Sequence, residues 1–571
     1  MDQHYRVIVA FILSMLIIGV WQHFFASTPA VVKTKQITEI ATTSEDSDVV
    51  EGKIDAPPKD RDLLVEGGYM ENLRVKIEND YLKGSINLVG ARLDDMELVK
   101  YKQDIKAESK NVVLLSPDNT IHPYFIDFHC LTGGKNDSSD IELPTANTIW
   151  KADRSMLSSN ESINLTWANK RGIKFIINIA LDDRYMFYVK YIVDSNMAIS
   201  IPMHVTTAIE RSRGDKGVNN FILHEGAVTV ADGKLQEVSF EKLQDKKKVE
   251  YVNTRVDWTG FSDKYWLVAV MPITTNISHA RLSNYVPHNT HQAHFRASLI
   301  SPRTLKPQSG PLVISESKLF VGAKNLELLE IYSREHDIKL FDRAVDFGIL
   351  YFITKPIFLF LNYLYHLLSN FGLAIALLTV IIKFLLFPLA YAGFKNMDRL
   401  KILQPQITKL RAMHEKNPMV LQKAMMELYK KEKINPLSGC LPLILQIPVF
   451  FALYKVLYVT IEMRQAPLGL WIHDLSVADP TSIFNLFGLI SWQPPSWLMV
   501  GVLPILMSIT MYIQQSFSVQ LADPVQAKTM KFLPLIFLFI FASFPSGLLL
   551  YWTWSNILSI MQQQLIRKLA K

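Results

Sequence analysis

Between Lys531 and Arg567 the chain carries no Asp, Glu, Lys or Arg, a run of 35 residues. One helix of that length would be ~52 Å long, far more than the ~30 Å of hydrocarbon in a bilayer. Phe544-Pro545-Ser546-Gly547 stands inside the run as a turn signal. The run therefore reads as a hairpin of two membrane helices, Phe532–Ser543 and Gly547–Ile566. An arm that begins at Phe532 covers only ~18 Å, a mismatch that would thin the bilayer locally.

Other segments share this texture. Asn370–Phe394 holds one charge, Lys383, and Leu437–Tyr458 holds one, Lys455, near the outer end where it can snorkel. No charge stands between Asp479 and Asp523, with Leu498–Gln515 as the expected span, and the apolar stretch around Ile483–Trp497 is left over. Val7–Gln22 is charge-free, follows Arg6, and continues apolar to Phe25. A signal peptide ending at Ala26 is one reading. The length of the apolar stretch and Pro29 beyond it favour an uncleaved anchor over residues 1–26. Six spans result. A charged fraction of 20% and a mean hydropathy of +0.14 agree with a membrane chain.

The basic residues set the orientation. Lys395, Arg399, Lys401, Lys409, Arg411, Lys416, Lys423, Lys430, Lys431 and Lys433 crowd one loop, opposed only by Asp398, Glu415, Glu427 and Glu432. That loop is expected in the cytoplasm, as are Lys528, Lys531, Arg567, Lys568 and Lys571. Thr460–Trp497 has one basic residue, Arg464, and faces outward. Both termini then lie in the cytoplasm. The net charge of +7 reports topology in this reading, not nucleic-acid binding. Within the basic loop, residues 395–436, Leu400, Leu403, Ile407 and Leu410 recur at helical spacing, as do Leu421, Met425 and Leu428 after Asn417-Pro418. A helical hairpin with an apolar seam and a basic face follows, suited to anionic lipid, ribosomal RNA or a protein.

Residues 27–61 have the Thr, Ser, Asp, Glu and Pro content of a flexible linker. Residues 62–335 turn to short β-branched and aromatic segments, such as Leu73–Ile77 and Tyr185–Tyr191, punctuated by Gly133-Gly134 and Ala231-Asp232-Gly233. That pattern predicts an all-β sandwich on the outer side. His129 and His224 look isolated and structural there, and Lys246-Lys247-Lys248 a solvated turn. Phe347–Leu368 is apolar and aromatic, broken by Lys355-Pro356, and fits a helix on the outer membrane surface. The sequence offers no phosphate loop, nucleophile elbow or zinc-like spacing, so no cofactor, metal or catalytic residue is expected. Cys130 and Cys440 fall in different compartments and do not pair.

Lys383 is the residue that most asks for a role. It lies 13 residues from Asn370 and 12 from Lys395, hence ~18–20 Å from either end of one straight helix. An intramembrane charge faces a wet cavity or a partner, and no Asp or Glu lies in any span to pair with it. Retention by backbone carbonyls or snorkelling is the bland alternative. Thr379 sits one turn away on the same face.

The chain resembles the YidC/Oxa/Alb family of membrane insertases, of the Gram-negative type. The resemblance rests on Gln404-Pro405, Asn435-Pro436-Leu437-Ser438-Gly439-Cys440, Gln446-Ile447-Pro448, Arg464-Gln465-Ala466-Pro467, Trp471–Ser476, Asp523-Pro524, Phe544–Leu548 and Gln562-Gln563-Gln564-Leu565, in that order. It implies an α-helical polytopic inner-membrane protein. Five of the six helices would form an insertase core over residues 369–571, with a periplasmic β-supersandwich outside. It implies a hydrophilic groove lined by Lys383, Thr379 and Gln446, and an apolar wall of Phe450, Tyr551 and Trp552 that touches the emerging segment. The implied partners are nascent membrane proteins, the Sec translocon and the bilayer, with the ribosome as a candidate for the basic hairpin. The family usually has Arg where this chain has Lys383, so the bidentate fork is lost. A secondary transporter is the rival reading, but the sequence shows neither internal repeats nor paired intramembrane acids or broken helices.

Overall fold

The computed structural model describes residues 59–569 apart from 107, 133–140, 197–198, 214–222, 274–277, 288–291, 303, 307–308, 349, 415–416, 433–440, 489, 491, 493, 496–498 and 518–523. The expected N-terminal anchor, almost all of the linker, and Cys440 lie outside the described residues.

The β-rich texture becomes two packed sheets, of eleven and nine strands among the described residues. In the larger, Ile199–Ser212 runs antiparallel to Tyr124–Thr132 and to His294–Ile300. In the smaller, Met186–Ser195 is flanked by Lys174–Leu181 and Gly310–Ala323. Alternation places Ile177, Ile179, Phe187, Val189 and Tyr191 in the core, all at most 2% exposed. Burial pushes the Cys130 thiol up to about 12, and its neighbour across the core is Tyr191 on the opposite sheet. Asp232 and Gly233 both take positive φ, 49° and 68°, the conformation that a two-residue hairpin needs. Lys247 is a left-handed turn residue, as a solvated turn requires. His129 is not isolated. Its Nε2 lies 2.9 Å from Asp127, two residues earlier on the same strand face, and Asp127 raises its pKa.

The β texture hides two helices, Phe240–Lys246 between strands and Arg61–Met70 ahead of them. Arg61–Met70 begins at Asp60, whose carboxylate accepts from the Asp62 N–H at 2.8 Å. After the sheets, Leu326–Glu335 leads to a second departure from expectation. Tyr351–Leu368 is one continuous helix through Pro356. The proline is the sixth residue, so it removes only one early intrahelical bond. Thr354, Phe358, Leu361 and Leu364 are buried on one face, while Phe352, Leu359, Tyr363 and Leu367 point outward. Lys355 ties this helix to the β domain through Glu330 at 2.7 Å and Asp342 at 2.9 Å.

The helical part follows as Phe371–Leu385, Phe387–Met413, Pro418–Lys431, Leu441–Val459, Val502–Phe517, Pro524–Phe541 and Ser546–Leu569. The expected straight span over Asn370–Phe394 is instead two helices that meet at 60°. The chain turns at Leu386, and Pro388 sits in the first turn of the second helix, where its missing N–H costs least. The second piece runs on into the hairpin, where Leu403 and Ile407 are buried against Leu400, Met425, Leu428 and Tyr429. By length and composition no single described helix crosses a membrane. Only the bent pair Phe371–Leu385 and Phe387–Asn396 passes together, with Gln446–Val459 and Met530–Phe541 as shorter apolar helices. The first arm of the final hairpin is also longer than expected. Its 18 residues reach ~27 Å, but Lys528 and Lys531 fall in the added turns and the apolar part, Met530–Phe541, covers only ~18 Å.

The two parts are joined by specific contacts. Asn325 Nδ2 donates to Glu462 Oε1 at 2.8 Å, Gln465 Nε2 donates to the Lys102 carbonyl at 3.2 Å, and Arg464 lies 5.6 Å from the Trp266 ring centre. Lys455, near the outer end of its helix, reaches Asp346, with its ammonium at 2.9 Å.

Candidate functional site: a polar cleft at a helix elbow

Lys383 stands two residues before the end of helix Phe371–Leu385, at the elbow. It remains ~18 Å along that helix from Phe371, but the bend, not a straight helix, sets its inner surroundings. Its Nζ donates to Ser559 Oγ at 2.8 Å and to Gln446 Oε1 at 3.4 Å. Among the described residues no carboxylate pairs with it. Gln446 in turn donates to the Tyr551 hydroxyl. Gln562 Nε2 donates to the Lys383 carbonyl at 3.0 Å, which satisfies a backbone oxygen freed near the helix end.

Lys383, Gln446, Ser559 and Gln562 line a small cleft, completed by Leu386, Leu389, Ala390 and Phe394 from beyond the elbow. The elbow therefore supplies both the cation and an apolar wall. Helix Ser546–Leu569 supplies the polar side. Thr553, Ser555, Asn556, Ser559 and Gln563 are all at most 8% exposed, a polar stripe within an apolar run. Asn556 Nδ2 donates to Thr510 Oγ1 at 3.2 Å and fixes that helix on Val502–Phe517.

Of the expected groove residues, Lys383 and Gln446 come together and Thr379 does not. Thr379 is 1% exposed, and its hydroxyl donates to the Ile375 carbonyl at 2.7 Å, one turn back on its own helix. Ser559 takes the place expected for it. Of the expected apolar wall, Phe450 and Trp552 pack edge to face, ring centres 4.8 Å apart, with Phe541 a further 4.8 Å from Trp552. Tyr551 points the other way, buried and bonded to Gln446. The periodic polar positions 555, 559 and 562 were the signal for the residues that sequence reasoning passed over.

The outer surface of the helices is apolar. Phe384 and Leu385 are 77% and 70% exposed, and Leu535, Ile536, Phe539 and Ile540 also face outward. Apolar side chains on the outside and a cationic, amide- and hydroxyl-lined cleft inside define a helical membrane protein built around a polar groove. The comparisons agree. Residues 363–571 match the model described as 60Kd inner membrane protein, and residues 74–360 the model of the YidC periplasmic domain. The membrane protein insertase YidC of Rickettsia prowazekii (strain Madrid E) is 44% identical over 567 residues, 99% of each chain. That of Rickettsia akari (strain Hartford) is 43% identical over 566 residues, again 99% of each. A crystal structure of an active YidC insertase with its first transmembrane domain resolved aligns with TM-score 0.35 and 17% identity, over 86% of this chain and 92% of that one. The chain belongs to the YidC family of membrane protein insertases. It is an inner-membrane insertase, not an enzyme, and its β-sandwich is the periplasmic domain.

Proposed function

We propose that the cleft around Lys383 receives the polar tail of a nascent membrane protein while the client's apolar segment leaves along the wall of Phe450 and Trp552. Bringing a polar tail into hydrocarbon is expensive, and groups that hydrogen-bond it lower that barrier. Lys383, Gln446 and Ser559 provide a cation, an amide and a hydroxyl at one place. Transfer of the apolar segment to lipid then releases free energy through burial, about 25 cal/mol per Å². No covalent step is needed.

The single observation that carries this reading is Lys383 Nζ held at 2.8 Å by Ser559, with no carboxylate paired to it among the described residues. Its positive charge is therefore available to an acidic tail. Six spans with both termini in the cytoplasm complete the proposal, divided as an anchor at 1–26, a linker at 27–61, the periplasmic domain at 62–335, an interfacial helix at 347–368 and the core at 369–571. The insertase works alone or beside the Sec translocon, and its basic hairpin, 395–436, meets anionic lipid and the ribosome. The test is insertion of paired clients that differ only in tail charge into vesicles carrying wild type, Lys383→Arg, Lys383→Ala or Lys383→Glu at equal levels. Arg should retain activity, Ala should impair acidic tails more than neutral ones, and Glu should be worst for acidic tails. Equal insertion of acidic-tailed clients by wild type and Lys383→Ala overturns the proposal.

A further inference from the structure

The apolar stretch after Asp479 has no part in the groove. Ile483–Gly488 forms a short 3-10 turn in which Leu486 and Phe487 are both left-handed, φ 49° and 58°. Bulky side chains rarely adopt that backbone, because the β-carbon crowds the following carbonyl. Here it turns them outward. Phe484, Leu486, Phe487, Ile490 and Trp492 are each at least two-fifths exposed.

The base of this loop is the opposite of its tip. Asp479 and Ser482 are at most 2% exposed. Asp479 Oδ2 accepts from the Leu503 N–H at 2.8 Å, and Thr481 Oγ1 accepts from the Val502 N–H at 3.0 Å. Two orphan donors at the start of helix Val502–Phe517 are thereby satisfied. Asp479 Oδ1 accepts from the Thr481 N–H at 3.0 Å, and the Ile483 N–H bonds the Val500 carbonyl at 3.1 Å. Gly501 permits this closure, since a β-carbon there would fall 2.5 Å from the Asp479 carboxyl carbon. A rigid, buried base thus presents an apolar tip.

We infer that this tip is a membrane anchor that inserts into the outer leaflet beside helix Val502–Phe517. Two observations select lipid as the occupant. The base of the loop is bonded to the start of that helix, whose Leu506, Ile509, Tyr512 and Ile513 are exposed. No Asp, Glu, Lys or Arg stands anywhere between Asp479 and Asp523, so neither the loop nor the helix carries a charge into hydrocarbon. Phe484 and Phe487 suit the acyl region, and Trp492 the headgroup level. The inference rests on the proposed topology, which places this loop outside.

The experiment uses the full chain in the Cys440→Ser background, where the remaining Cys130 is buried. An environment-sensitive fluorophore is attached at Phe487→Cys or, as the comparison, at Val477→Cys, which replaces an exposed residue before the loop. Each is reconstituted into phosphatidylethanolamine–phosphatidylglycerol vesicles with or without doxyl-labelled lipid. The label at 487 should be quenched several-fold more strongly by doxyl lipid than by aqueous iodide, and the label at 477 the reverse. Iodide reaching 487 as readily as 477 overturns the anchor. So does shielding from both quenchers, which would mean that protein, a second copy or a client, covers the tip. A membrane-impermeant maleimide that fails to reach Val477→Cys from the periplasmic face of cells would instead overturn the topology.

Discussion

Lys455 and Asp346 form an ion pair of 2.9 Å across the seam between helix Leu441–Val459 and the segment that leaves the periplasmic domain. Both side chains are more than four-fifths buried. Burial would raise the Asp346 carboxyl, but Lys455 and the His224 N–H hold it below its usual range. Removing one partner strands the other. Lys455→Met should destabilise the full chain by about 3 kcal/mol, the order expected when a buried charge loses its counter-charge. Lys455→Met with Asp346→Asn should recover most of that loss. Thermal unfolding in detergent checks both, and equal stability of Lys455→Met and wild type would show that the pair does not hold the seam.

Glu462 makes the same seam sensitive to pH. Burial pushes its carboxyl up to about 7, and Oε2 has no hydrogen-bond partner while Oε1 accepts from Asn325. A carboxyl whose folded pKa lies above its unfolded value near 4.5 binds a proton on folding. Its contribution is intact below pH ~4.5 and is lost as pH rises to about 7, worth roughly 3 kcal/mol in all. His224, pushed down to about 4 by burial, works in the opposite sense over part of that window. The comparison must therefore be between variants. Relative to wild type, Glu462→Gln should gain stability between pH 5 and pH 7.5. Parallel stability–pH curves for the two proteins would rule the assignment out.

How much of this was legible in the sequence depends on the range of the interaction. The β-sandwich and the hairpin turn at Pro545 were readable because alternation and charge-free runs are local patterns. The elbow was partly readable, since Pro388 favours the first turn of a new helix, but a span counted by length alone runs straight through. Thr379 shared a helical face with Lys383, which spacing alone suggested was enough. The structure gives its hydroxyl to the Ile375 carbonyl because a buried threonine in a helix finds that acceptor first. Lys455 and Asp346 are 109 residues apart in the chain, and no periodicity announces such a pair.

The two cysteines should behave independently. Cys130 is 2% exposed with its thiol pushed up to about 12, so its thiolate fraction at pH 8 is reduced about a thousandfold. In the Cys440→Ser variant, alkylation should be very slow in the folded chain and fast in urea. Reducing and non-reducing gels of wild type should show one monomer mobility. Rapid alkylation of folded Cys440→Ser would contradict the burial.

Topology can be read from single cysteines. Leu470, 83% exposed in the outward loop, should label from the periplasm as Leu470→Cys. Positions in the basic hairpin, such as Lys423→Cys, should label only after the membrane is opened. Labelling of the hairpin in intact cells would invert the proposed orientation.

The last prediction concerns Ser559, which reaches the groove from a different helix than Lys383. Its hydroxyl is the nearer of the two side-chain acceptors on the ammonium, at 2.8 Å against 3.4 Å for Gln446. If it acts by holding the cation where a tail meets it, Ser559→Ala should impair insertion of acidic-tailed clients, by less than Lys383→Ala does. It should leave neutral-tailed clients close to wild type. The decisive measurement is the double variant. Residues in contact couple, so Lys383→Ala with Ser559→Ala should insert acidic tails no worse than Lys383→Ala alone. Additive losses would mean that Ser559 contributes polarity of its own, independent of the lysine. Equal losses for acidic and neutral tails in Ser559→Ala would instead assign it to packing against helix Phe371–Leu385.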